Sequence, residues 1–187
     1  REAFEGLIAG ISSRFVALPA AETDSGIDAA LRDLGTFAGV DRSYVFLFDA
    51  ELAETSNSHE WCAPGIEPQI KDLQGLPVED IPWFFDNISR NEVVYVPRVK
   101  DLPAEAEAER VHWEKQDIRA VAAVPIISAG RLAGFFGFDA VTSEKAWSEQ
   151  DLTLLRTVGE ILGSGSNADA HHITAPAPGG VGAIACM

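Results

Sequence analysis

Residues 119–140, RAVAAVPIISAGRLAGFFGFDA, constrain the fold of this chain more than any other stretch. Two apolar runs are joined by Ser128-Ala129-Gly130, a short connection with a glycine free to take a positive φ, which predicts a tight β-hairpin. In the first arm Val121, Ala123 and Pro125 share one face, and Ala122, Val124 and Ile126 the other. In the second arm alternation groups Phe136 and Phe138 with Leu132, and Phe135 with Ala133. Neither face is polar over the middle of either arm, so the strands belong in the centre of a sheet covered on both sides. Gly134 and Gly137 leave gaps beside the aromatics. Two readings fit those gaps: the border of a binding cavity, or plain core packing.

The flanking segments follow the helical period. In 1–18, Phe4, Leu7, Ile8, Ile11, Phe15 and Leu18 form one apolar stripe. A second helix is expected from Ser25 as its cap to Gly39 as its stop, burying Ile27, Leu31, Leu34 and Ala38. Tyr44 to Phe48 reads as a strand, turned at Asp49-Ala50-Glu51 into a more polar run from Leu52 to Trp61. The prolines and glycine of 63–68 exclude regular structure, and a short helix is expected over Gln69 to Leu73. Pro82 opens a helix running to about Arg90, Val93 to Val96 is a short strand, and a further helix is expected from Asp101 to about Gln116 with Glu105, Glu107 and Glu109 mostly solvated. Ser148 with Asp151 caps a last helix carrying Leu152, Leu155, Val158 and Leu162, which Gly163-Ser164-Gly165-Ser166 is expected to break. The organisation is thus one α+β domain over 1–162, its antiparallel sheet of five or six strands carrying helices, and a Gly/Ser linker with a low-complexity tail over 163–187.

With 187 residues there is room for one substantial core and not two. A formal charge of −15 argues against nucleic-acid partners and anionic membranes, both of which require basic surface. No apolar run is long enough to cross a bilayer. Two distant cysteines, Cys62 and Cys186, give no disulfide framework, so a reducing, cytoplasmic setting is expected.

Several strings, in order, resemble the GAF domain family of bacterial signalling proteins. They are GVDRSYVF at 39–46, SHEWCAPGI at 58–66, Leu76-Pro77, Val124-Pro125-Ile126, GFFGFD at 134–139 and WSEQD at 147–151. The HEWCAPGI string is similar to that of sensory modules placed ahead of diguanylate cyclase or histidine kinase output domains. The resemblance covers about 3–162. It implies a GAF-like central antiparallel sheet of six strands, N- and C-terminal helices on one face, and loops and short helices covering the other. It also implies an unidentified small-molecule ligand bound on that second face, a homodimer through the terminal helices, and no catalysis.

Candidate ligand-binding residues follow from both readings. Phe46, Phe48, Val124, Phe136 and Phe138 are the strand residues expected around a cavity, and Trp83, Phe84 and Trp113 lie in the segments expected to cover it. Ser56, Ser58, His59 and Trp61 come from the polar strand, and Arg98 is a candidate partner for an anion. His59 and Cys62 face opposite sides of an extended strand, so no metal site is expected there, and no cofactor is expected. Bilin-carrying members of the resembled family place a Cys-His pair where this chain has Ala108 and Glu109. Three functions remain open at this point: a ligand sensor, a ligand-free dimerisation scaffold, and a small redox enzyme using Cys62.

Overall fold

The computed structural model describes residues 1–165; of the linker and tail expected over 163–187, residues 166–187 lie outside the described residues. A six-stranded antiparallel sheet in the order β3-β2-β1-β6-β5-β4 is built from β1 (Arg42–Phe48), β2 (Glu54–Cys62), β3 (Leu76–Pro77), β4 (Val94–Val96), β5 (Ala120–Ser128) and β6 (Arg131–Ala140). The hairpin expected at 119–140 is the β5–β6 pair, closed by Ala129 and Gly130 at φ 50° and 74°, the left-handed pair that suits the twist of a two-residue hairpin. Both arms are interior strands: β6 pairs with β1 on its other side, and β5 with β4.

Three helices, α1 (Glu2–Ala17), α2 (Thr23–Ala38) and α5 (Glu149–Gly165), share one core with Val45, Leu47, Ala122, Val124, Phe136 and Phe138. The opposite face of the sheet carries Tyr44, Phe46, Phe48, Val121 and Phe135. It is covered by the 63–75 connection, α3 (Pro82–Ser89) and α4 (Glu107–Glu114). Phe136 and Phe135, adjacent in sequence, therefore belong to different cores.

Two bulges alter the expected faces. Between β5 and β6 the register steps from Ile126↔Gly134 to Ile127↔Leu132. Leu132 consequently joins the Phe135 side and not that of Phe136, because an extra residue reverses the alternation beyond it. Between β1 and β2 the step from Val45↔His59 to Phe46↔Asn57 leaves Ser58 as the extra residue. With its amide nitrogen turned to the available acceptors, Asn57 donates to the Val45 and His59 carbonyls at 3.0 and 2.8 Å, tying both sides of that bulge.

Other expectations are corrected. The second helix begins at Thr23, and Ser25 is not its cap; the Ser25 hydroxyl donates to the Glu22 carbonyl at 2.9 Å. The 69–73 stretch is a turn and not a helix; its N–H groups at Gln69 and Ile70 donate to the Glu60 carboxylate (3.0 and 3.3 Å), and the Leu73 carbonyl accepts from Asn57 N–H. Pro103 splits the expected 101–116 helix into two single turns followed by α4.

Helix α5 runs through Gly163 to Gly165 without the expected break. A Cβ at Gly163 would stand 2.0 Å from the Ile127 carbonyl oxygen, and one at Gly159 would stand 2.6 Å from that of Pro125. These glycines let the helix lie directly on β5. Gly159→Val is therefore expected to destabilise the fold by about 3 kcal/mol, since a backbone neighbour cannot yield. Gly6→Ala, with open space at its Cβ, is expected to be neutral or stabilising by up to ~1 kcal/mol. Urea denaturation of the two variants checks the contrast.

Candidate functional site

A cavity open to solvent lies between the sheet and the α3–α4 cover; the space in and before its mouth, open solvent included, is about 590 Å³. Strand β1 presents Arg42, Tyr44 and Phe46 to it, β6 presents Phe135 and Asp139, and β2 presents Thr55, Asn57 and Glu60. Those β2 positions change parity at the Ser58 bulge, which is how both Asn57 and Glu60 reach one face. The cover contributes Phe84 from α3, His112 and Trp113 from α4, and Gln69 and Leu73 from the connection.

The aromatic wall is interlocked. Phe46 stacks on Phe135 with centroids 4.7 Å apart, and Phe84 meets Phe135 edge-on at 4.7 Å. Trp113 meets Phe84 edge-on at 6.1 Å. Tyr44 occupies the space that Gly137 leaves opposite it, for a Cβ there would sit 2.8 Å from the tyrosine ring. From that position its hydroxyl donates to Asp139 Oδ1 at 2.8 Å.

Arg42 completes the polar base. Its Nε donates to the Glu67 carbonyl at 3.1 Å, holding the 63–75 connection, while Nη1 stands 3.9 Å from Asp139 Oδ2. Nη1 is buried and has no hydrogen-bond partner. Burial pushes the Asp139 carboxyl up to about 7 and the Tyr44 phenol well above its ordinary value, since a low-dielectric site disfavours the charged form. Burial also lowers His112, reinforced by the neighbouring Lys115 charge.

Of the residues expected at a site, Phe46, Phe84 and Trp113 are on the cavity wall. Phe48 and Trp83 pack in the same core but outside the lining. The expectations for Val124, Phe136 and Phe138 are corrected: their side chains point into the helix-side core, because strand parity sends them away from Phe135. Trp61 packs there too, its ring on Gly35. His59 is turned to α2, where Nε2 meets Asp24 Oδ1 at 2.9 Å. Ser56 accepts from Gly75 N–H at 2.8 Å, and Ser58 donates to the Val45 carbonyl at 3.2 Å while meeting His59 Nδ1 at 2.9 Å, so both hydroxyls are engaged within the fold. Arg98 is a surface residue, paired with Asp101 and Glu144 at 3.2 and 3.1 Å.

The expectation of a solvated Glu109 is also overturned. Its side chain is wholly buried, and Oε1 accepts the Phe84 N–H at 2.9 Å in the first turn of α3. That helix has no side-chain cap of its own, so Glu109 supplies one from α4. Glu109→Ala is expected to cost about 1–2 kcal/mol, the range for a lost helix cap, and Glu109→Gln less, because it keeps an acceptor. Chemical denaturation measures both.

Cys62, at the end of β2, is free and half-buried. Burial first, then the Glu60 charge, pushes its thiol up to about 11, the opposite of an activated nucleophile. No group of three or more His, Cys, Asp or Glu side chains among the described residues is arranged to hold a metal ion. Among them, too, no helix is long and apolar enough to cross a membrane.

The GAF domain family profile matches residues 22–164. The chain belongs to the GAF domain family. Among curated proteins, the methanogenesis regulatory histidine kinase FilI of Methanothrix harundinacea is 36% identical over 148 residues, which span 76% of this chain and 16% of that relative's length. Solved structures agree in fold. The phycoerythrobilin-bound GAF domain of a cyanobacterial phytochrome superposes with a TM-score of 0.74 at 17% identity, covering 90% of this chain and 98% of that one. The chromophore-binding domain of the Stigmatella aurantiaca bacteriophytochrome (Thr289His mutant) gives 0.69 at 18% identity, covering 89% and 60%. In this GAF domain Ala108 and Glu109 lie on α4, and Cys62 is the sole cysteine among the described residues.

Proposed function

We propose that this GAF domain is a non-catalytic sensory module of a signalling protein, which binds a small molecule without covalent attachment in the cavity between the sheet and the α3–α4 cover. The observation that carries the reading is the cavity itself, whose lining joins aromatic side chains to Arg42, a nearly buried guanidinium with one hydrogen bond unmade. Apolar pockets with a few fixed polar groups are how small ligands are held and oriented. Relatives of the same fold hold bilins. Covalent attachment at the position the family resemblance indicates has no thiol here, since that position is Ala108.

Transmission follows from the two-faced strands. Phe135 lines the cavity and the next residue, Phe136, packs among the helices; Gly159 of α5 rests on the Pro125 carbonyl. A ligand that prefers one position of β5–β6 over another biases α5 by that difference in affinity. The relative with a histidine kinase name supports an output domain beyond α5. The apolar stripe of α1 is largely consumed within the chain, where Phe4, Ile8 and Ile11 are buried. Val16, 87% exposed, and Phe37, 47% exposed and stacked on Phe4, are the apolar groups that support contact with a second copy.

Non-denaturing mass spectrometry of the domain, isolated without unfolding from cells carrying the full-length protein, is the test. A retained small molecule is expected, and Leu76→Trp, which narrows the lined cavity, is expected to lose it. Absence of any retained mass, together with no thermal stabilisation by a metabolite library, would favour the ligand-free scaffold.

A further inference from the structure

The base of the cavity selects among ligand chemistries, an argument that rests on the sensory reading above. The Arg42 side chain is 4% exposed, its Nε is engaged by the Glu67 carbonyl, and its Nη1 has no partner. At 3.9 Å the Asp139 carboxyl offers Nη1 attraction but no hydrogen bond. A buried cationic donor left unmade is costly, and an anionic acceptor relieves that cost best. The remaining acids are otherwise engaged: Glu60 accepts from Gln69 and Ile70 N–H, and Asp139 Oδ1 accepts from Tyr44. The rest of the wall, Phe46, Phe84, Trp113, Phe135 and Ile81, suits an apolar body.

We infer that the cavity takes a small monocarboxylate with an aromatic or branched apolar body, its carboxylate received by the Arg42 guanidinium and its body lying against Phe46 and Trp113. A second carboxylate would meet Glu60, and an ammonium group would meet Arg42, so dicarboxylates and amines are disfavoured. Asp139 responds to the arriving charge by taking up a proton, which its burial already favours near neutrality. The titratable and charged groups around it are Arg42 and Tyr44 on β1, Asp41 just before β1, Glu60 on β2 and His112 on α4.

Calorimetric titration of the domain with phenylacetate and isovalerate, against phenylacetamide and succinate, at pH 6 and pH 8, tests this. Phenylacetate is expected to bind at least tenfold tighter than its amide and than succinate, and tighter at pH 6 than at pH 8. Arg42→Gln is expected to weaken phenylacetate at least tenfold. Asp139→Asn is expected to flatten the pH dependence of phenylacetate binding, which separates Asp139 from His112. Should Arg42→Gln fail to fold by circular dichroism, Asp139→Asn and the acid–amide pair carry the test. Equal binding of acid and amide, or tighter binding at pH 8, overturns the inference. So does a failure of both carboxylates to bind. A retained neutral molecule in the mass spectrum would then leave the sensory reading standing, whereas no retained mass and no stabilising compound would remove both.

Discussion

Phe136→Ala is expected to lower folding stability by about 3–5 kcal/mol, the range for emptying a buried aromatic site, while leaving ligand affinity within twofold. Phe136 is fully buried in the helix-side core, 5.3 Å from the Phe138 ring, and no part of it lines the cavity. Phe135→Ala removes the ring on which Phe46 and Phe84 both pack, so it is expected to change phenylacetate affinity at least tenfold as well as stability. Urea denaturation paired with calorimetry separates the two effects. An affinity that follows position 136 and ignores position 135 would place the ligand on the wrong side of the sheet.

The second large effect is a pH dependence of stability. Asp139 is raised by burial to about 7 in the folded protein, from an ordinary 3.8 in the unfolded chain. Between those values the folded state holds a proton that the unfolded state has released. The Asp139 contribution is therefore fully present below about pH 4 and is lost as pH rises through about 7. At about 1.4 kcal/mol per pH unit of difference, the loss is of the order of a few kcal/mol. His112, lowered by burial, acts in the opposite sense as pH falls through its ordinary value. Asp41 loses its contribution only at lower pH: burial opposes its ionisation, but hydrogen bonds from Thr142 and Val141 N–H outweigh that and hold it below the usual carboxylate value. The difference between wild type and Asp139→Asn, measured by urea denaturation from pH 4 to pH 8, removes these shared terms. It is expected to shift against the wild type by a few kcal/mol across that range. A flat difference would mean that Asp139 stays ionised throughout.

The sheet was legible because its central strands are apolar on both faces, a pattern that leaves few alternatives. The cavity was half legible. Alternation alone, carried back from Phe46, puts Tyr44 and Arg42 on its face, and carried forward from Phe135 it reaches Asp139; polar residues at the ends of apolar strands were the overlooked signal. Phe136 and Phe138 are aromatic like Phe46 and Phe135, yet strand parity assigns them to the helix side. Two features could not be read locally. The Ser58 bulge depends on the pairing of two strands, and the role of Glu109 depends on α3 arriving beside α4. Gly163 has the composition of a linker when taken with its neighbours, and only its contact with Ile127 explains it within a helix.

The four tryptophans offer the most direct test of where the ligand sits. Trp113 lines the cavity, Trp83 packs near it, and Trp61 and Trp147 lie with the helix-side core. Fluorine NMR of the 5-fluorotryptophan-labelled domain, titrated with phenylacetate, should move the Trp113 resonance first and farthest. A titration in which Trp61 or Trp147 moves while Trp113 stays fixed would contradict a binding site on the α3–α4 side of the sheet.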